Sequence, residues 1–180
     1  MGPPLAYLLT WTCHGTWLHG DPRGSFERLP DGGGAFVTPD AERRRKAAAK
    51  TRSEPIRLNA AKRKAATDAI VQVCRRRAWT LLACDVRSNH AHVVIGAHDR
   101  PEPMMQQLKA WCTRAIRERG HPGPVWTRHG STKYLWDQES LSRAVRYVRD
   151  GQTGVIVVAR EQAERQSRAH ARGCDENQDH

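Results

Sequence analysis

Between residues 5 and 12 side chains alternate by side: Tyr7, Leu9 and Trp11 fall on one face, Ala6, Leu8 and Thr10 on the other, which predicts a strand. Residues 15–34 are rich in Gly, Pro and Asp and predict a long loop holding Trp17, His19, Asp21 and Arg23. Residues 41–57 are basic and poorly patterned. Over 58–77 an apolar stripe of Ala61, Ala65, Ala66, Ala69, Ile70, Val73 and Cys74 predicts a helix. Two further strands follow, 79–86 and 90–96, joined tightly through Arg87, Ser88 and Asn89 as a hairpin.

Pro101 opens a helix at a position where proline is tolerated. Met104, Met105, Leu108, Trp111, Cys112, Ala115 and Ile116 line one face of it, and the methionines read as core. Gly120 to Gly123 ends it, and 125–136 reads as a loop with one or two short extended pieces. Asp137 caps a last helix that runs to about Asp150. Beyond Val158 the sequence is polar and charged. The reading divides the chain into one domain over 1–158 and a polar, flexible C-terminal tail over 159–180. The order strand, helix, strand, strand, helix, extended piece, helix predicts an α+β fold, a ferredoxin-like antiparallel sheet covered by helices.

Composition narrows the partners. The 180 residues allow one core, and the formal net charge of +11 favours a polyanion, nucleic acid first, over charge kept only for solubility. Five cysteines, Cys13, Cys74, Cys84, Cys112 and Cys174, form no C-x-x-C pair, so neither a disulfide framework nor a zinc knuckle fits. A reducing cytoplasm is the expected setting, with the chain at the nucleoid when bound to DNA. No segment reads as a signal peptide or approaches the ~20 apolar residues of a membrane helix, so no membrane partner is expected.

Two constellations carry chemistry. His90 and His92 sit at i and i+2 on the third strand, so both project from one face while Ala91, Val93 and Ile95 take the other. Two neutral imidazoles on a rigid strand are half of a divalent-metal site and need a third ligand from elsewhere. The plain alternative is a pair of solvent-facing histidines, or one of them tied into a core hydrogen bond. A metallo-hydrolase H-x-H-x-D-H signature fails at Val94. In the last helix Leu141, Ala144, Val145 and Val148 form the apolar stripe, and Tyr147 lies about 100° from its centre. A tyrosine at that flank commonly packs its ring and wets its hydroxyl. If the helix continues past Gly151, Gln152 comes near the stripe's centre.

The His90-Ala91-His92 run followed by a helix bearing Tyr147 resembles the single-tyrosine HUH transposases, the IS200/IS605 type and its REP-associated branch. Leu9-Thr10-Trp11-Thr12-Cys13-His14-Gly15-Thr16-Trp17-Leu18 and Arg128-His129-Gly130-Ser131-Thr132-Lys133-Tyr134-Leu135-Trp136 also resemble that branch, so the likeness covers residues 5–153. It implies a Mg2+- or Mn2+-dependent single-strand endonuclease acting on hairpin DNA, with Tyr147 as nucleophile and His90 and His92 as metal ligands. It also implies a homodimer. The family's polar ligand commonly lies four residues after the tyrosine; here that place is Gly151, flanked by Asp150 and Gln152, of which Gln152 is favoured. Ala91 is smaller than the usual middle residue of the motif.

Basic residues complete the expectation. Arg87, Arg128, His129 and Lys133 lie beside the proposed site and are assigned to DNA phosphates. The runs Arg43 to Arg52 and Lys62 to Arg77 can add sequence-blind affinity or simply form solvated helix faces. Trp17, Trp126 and Trp136 are candidates for stacking on unpaired bases. The rival readings are a non-catalytic nucleic-acid-binding module of the same fold and, further off, a metal hydrolase for small substrates.

Overall fold

The computed structural model describes residues 2–18, 20–22, 25–28, 34–50 and 53–150. Within them β1 is Ala6–Thr12, β2 Ser25–Arg28, β3 Gly34–Val37, α1 Ala41–Ala49, α2 Ala60–Arg77, β4 Thr80–Val86, β5 His90–Gly96, α3 Pro101–Arg117, β6 Ser131–Leu135 and α4 Gln138–Asp150. Four strands form one sheet in the order β4-β5-β1-β6, every neighbouring pair antiparallel. With α2 between β1 and β4 and α3 between β5 and β6, this is the β-α-β-β-α-β arrangement of ferredoxin-like folds. The expected fold class is thereby observed.

The two faces of the sheet bury different layers. Tyr7, Leu9 and Trp11 of β1 and Ala91, Val93 and Ile95 of β5 pack under α2 and α3, against Ile70, Val73, Met104, Leu108 and Ile116. Burying each large aliphatic there contributes roughly 1.5–3 kcal/mol. On the reverse face Ala6, Ala83, Val94 and Leu135 meet Ala144 and Val148 of α4. β4 carries one surplus residue: Leu81 pairs with Ile95 and Ala83 with Val94, leaving Leu82 between them. Past this bulge Cys84 and Val86 face the α2/α3 layer, and Ala83, with Asp85 on its side, faces α4.

Three elements were not expected. The 15–34 loop contains β2 and ends in the start of β3, a separate two-stranded hairpin with Phe26 opposite Phe36. Strands of four residues are too short for alternation to reveal them. The basic stretch after Thr38 contains α1, in which no residue is buried. Its sequence therefore has no apolar stripe to read. It forms from Ala, Glu, Arg and Lys propensity and from its cap, Asp40, whose carboxylate accepts from the Glu42 and Arg43 amides at 2.9 Å. α2 starts at Ala60, two residues later than the pattern suggested, because Asn59 caps it by accepting from Lys62 N at 2.9 Å. The boundary expected at 158 lies outside the described residues.

The four described cysteines are free thiols and all are buried. Among the described residues no helix is long and apolar enough to cross a membrane. α2 ends on Ala78 in the left-handed conformation, φ 56°, with its amide bonded back to Cys74 O and Arg75 O. A Cβ is disfavoured there, so Ala78→Gly is expected to raise unfolding free energy by about 1 kcal/mol, measured by urea denaturation. Unchanged or lowered stability would mean that the turn carries no strain.

Candidate functional site

The predicted chemistry gathers on the α4 side of the sheet. His90 and His92 share that face of β5, with ring centroids 4.7 Å apart. His92 is buried and stands between Thr10 of β1 and Asp85 of β4 in the pairing register. The Thr10 hydroxyl lies 2.8 Å from His92 Nδ1. Asn89 Oδ1 accepts from His90 Nδ1 at 2.7 Å, which leaves that ring's lone pair on Nε2. Burial, then His90, then Arg87 push the His92 pKa down to about 4, so the ring is neutral at physiological pH.

Tyr147 arrives from the other layer. Asp137 accepts from Ser140 N at 2.7 Å and starts α4, as the sequence suggested. Ala144 and Val148 are buried on the sheet, and the flank position of Tyr147 brings its ring edge-on to His92, 5.3 Å between centroids. The residue is nevertheless 53% exposed, so its ring packs while its outer part stays open to solvent. One chain thus brings together His90, His92 and Tyr147, three residues up to 57 positions apart in sequence.

The donor set suits a divalent cation as a half-site. It offers two imidazoles, that of buried His92 neutral, each with one ring nitrogen held by a neighbour. Among the described residues no three His, Cys, Asp or Glu side chains gather closely enough to hold one ion. Gln152, the favoured third ligand, lies outside the described residues. Its alternative, Asp150, is engaged next door, its two oxygens 2.6 and 3.3 Å from the Arg149 guanidinium. That hydrogen bond holds its carboxyl below the usual carboxylate range.

The basic residues spread around this centre. Arg87 follows β4 directly, and its Nε donates to Asp85 Oδ2 at 3.2 Å. Lys133 lies opposite Leu8 in the register, on the histidine side of the sheet, and is exposed. Arg128 and His129 are exposed in the segment leading to β6. That segment is tied down by Lys109 of α3, whose Nζ donates to the carbonyls of Thr127, Arg128 and His129 at 3.1, 3.4 and 3.0 Å. Burial lowers the Lys109 pKa to about 8. A Cβ on Gly130 would stand 2.7 Å from Thr10 O and 2.5 Å from Met105 Sδ, so only glycine lets β6 start this close to β1. Of the three tryptophans, Trp126 packs edge-on against Trp11 and belongs to the core, whereas Trp17 and Trp136 are exposed.

Two participants escaped the sequence reading. Thr10 could be assigned only once β1 was known to pair with β5. Asp85 was hidden by the bulge: strict alternation from Leu81 would put it in the α2/α3 core, whereas it lies beside His92.

No protein-family model matches this chain, and no curated protein matches it. In structure it is similar to one described as a REP-associated tyrosine transposase bound to a REP hairpin, with 13% identity and a TM-score of 0.49, over 82% of this chain and 66% of that one. It is also similar to a candidate transposase from Deinococcus radiodurans R1, with 12% identity and a TM-score of 0.45, over 83% of this chain and 92% of that one. The chain spans just under two thirds of the first of these.

Proposed function

We propose that this protein is a single-tyrosine HUH-type transposase, a metal-dependent nuclease that nicks and rejoins single-stranded DNA at hairpins. The observation that carries the reading is the Tyr147 ring lying against His92, itself paired with His90, on one face of the sheet. In this reading His90 and His92 would hold Mg2+ or Mn2+, with Gln152 as third ligand, and the ion would neutralise and polarise the scissile phosphate. A protonated phenol is a weak nucleophile, and Tyr147 depends on the phosphate being held in line with its oxygen.

The Tyr147 hydroxyl oxygen attacks phosphorus and loses its proton to solvent. The bond from phosphorus to the 3′ oxygen breaks, and that oxygen takes up a proton to leave a free 3′-hydroxyl. The 5′ phosphate stays on Tyr147 as a phosphodiester, which keeps the bond energy and allows rejoining without ATP. Arg87, Arg128, His129 and Lys133 bind the flanking phosphates, so affinity falls with salt. Thr10 keeps His92 from rotating. The homodimer implied by the resemblance is a further part of the proposal.

The test is a hairpin DNA labelled on the 3′ side of the nick, incubated with Mn2+ and denatured in SDS. The expected result is label retained on the protein, lost when the metal is chelated. Salt-sensitive binding without any adduct would favour the rival reading, a non-catalytic module of this fold.

A further inference from the structure

Asp85 is fully buried on β4, directly across the ladder from His92. Directly opposed residues of antiparallel strands bring their Cβ atoms to about 4.5–5.5 Å. One carboxylate oxygen, Oδ2, accepts from Arg87 Nε at 3.2 Å. The other, Oδ1, is buried and has no hydrogen-bond partner among the described residues. A desolvated carboxylate with half of its acceptor capacity unused is costly unless positive charge comes near it. Nothing in the proposed reaction uses it.

The proposed ligands, meanwhile, lack negative charge. Two neutral imidazoles and an amide suit softer ions, whereas Mg2+ and Mn2+ favour anionic oxygen nearby. We infer that Asp85 is a positioning residue for the cation, its buried charge drawing a hard divalent ion to the imidazole pair from across the strand gap. It is not a direct ligand, since it does not gather with the two histidines into a coordinating group. Arg87 opposes it by neutralising part of that charge, and so sets how strongly the pair attracts metal. A cation held by the imidazole pair would place positive charge near the unpaired oxygen without coordinating it. The inference rests on the reading of His90 and His92 as ligands.

Mn2+ binding to the purified chain without DNA, followed by electron paramagnetic resonance and calorimetry, tests both. Asp85→Asn keeps the shape and removes the charge; Mn2+ affinity should fall ~10–100-fold, the range typical of groups that support metal ligands from behind. Arg87→Gln should shift it the other way, and that gain should vanish in the Asp85→Asn background. Circular dichroism establishes folding, and Asp85→Asn/Arg87→Gln, which removes both charges together, serves if Asp85→Asn alone fails to fold. In that case the doubly altered chain must bind Mn2+ more weakly than Arg87→Gln does. If His90→Ala/His92→Ala loses Mn2+ and Asp85→Asn does not, the ligand reading stands and Asp85 is structural only. If the histidine variant binds as well as the unaltered chain, both ideas fall.

Discussion

Tyr147→Phe should abolish the covalent DNA adduct and reduce nicking by at least about 10³-fold, because the removed atom is the one that forms the new bond. The ring contact with His92 and the packing of α4 do not involve the hydroxyl, so both survive in the variant. The side chain is more than half exposed, and stability should stay within about 0.5 kcal/mol. Hairpin affinity, carried by basic residues elsewhere, should change less than about twofold. Neither remaining tyrosine can substitute from its place in the fold. Tyr7 and Tyr134 pack edge-on against one another, centroids 5.3 Å apart, on the opposite face of the sheet, and burial further raises the Tyr7 pKa. A gel of denatured reaction products and a binding titration, run side by side, check the prediction. An adduct that persists in Tyr147→Phe would move the nucleophile elsewhere.

Much of this site could be read from sequence because strand and helix periodicity act locally. The i, i+2 spacing alone put His90 and His92 on one face, and helical angle alone put Tyr147 at the flank of its helix's apolar stripe; that this flank meets His92 came from the family resemblance and is seen in the fold. Non-local features were illegible. Which strand lies beside β5 decides whether Thr10 or some other residue holds His92, and no periodicity encodes strand order. Asp85 was concealed by a single inserted residue that reverses the alternation of β4. α1 was missed for another reason: amphipathicity reports burial, and a helix that buries nothing has none.

Raising pH above about 9 should unfold the protein steeply. Cys13, Cys74, Cys84 and Cys112 are all buried, and burial first of all raises every thiol above its ordinary value near 9, to about 12 for Cys13 and Cys74. These are raised folded-state values, so their stabilising contribution is complete below pH 9 and disappears as pH climbs through the folded pKa. In that window the unfolded chain releases protons that the folded chain keeps. Each thiol contributes about 1.4 kcal/mol per pH unit, roughly 5 kcal/mol per unit for the four together. Typical domains hold only about 5–15 kcal/mol in total, so unfolding is expected one to three units above pH 9, on the order of pH 10–12. Lys109 acts in the opposite sense between about 8 and its ordinary value of 10.5, one partly exposed group against four buried ones. Urea denaturation under reducing conditions from pH 8 to 11 measures the slope, and Cys112→Ala should flatten it by about a quarter. Constant stability through pH 10.5 would mean that the thiols ionise without leaving the core.

The extra leucine in β4 does more than steer a carboxylate. Among the described residues β4 is an outermost strand, and its sequence, Thr-Leu-Leu-Ala-Cys-Asp-Val, is apolar enough to recruit a strand from another molecule. A straight ladder there would invite fibre-like lateral growth. The bulge at Leu82 interrupts the regular ladder within the strand, so the irregularity that shapes the site also works against edge-to-edge pairing.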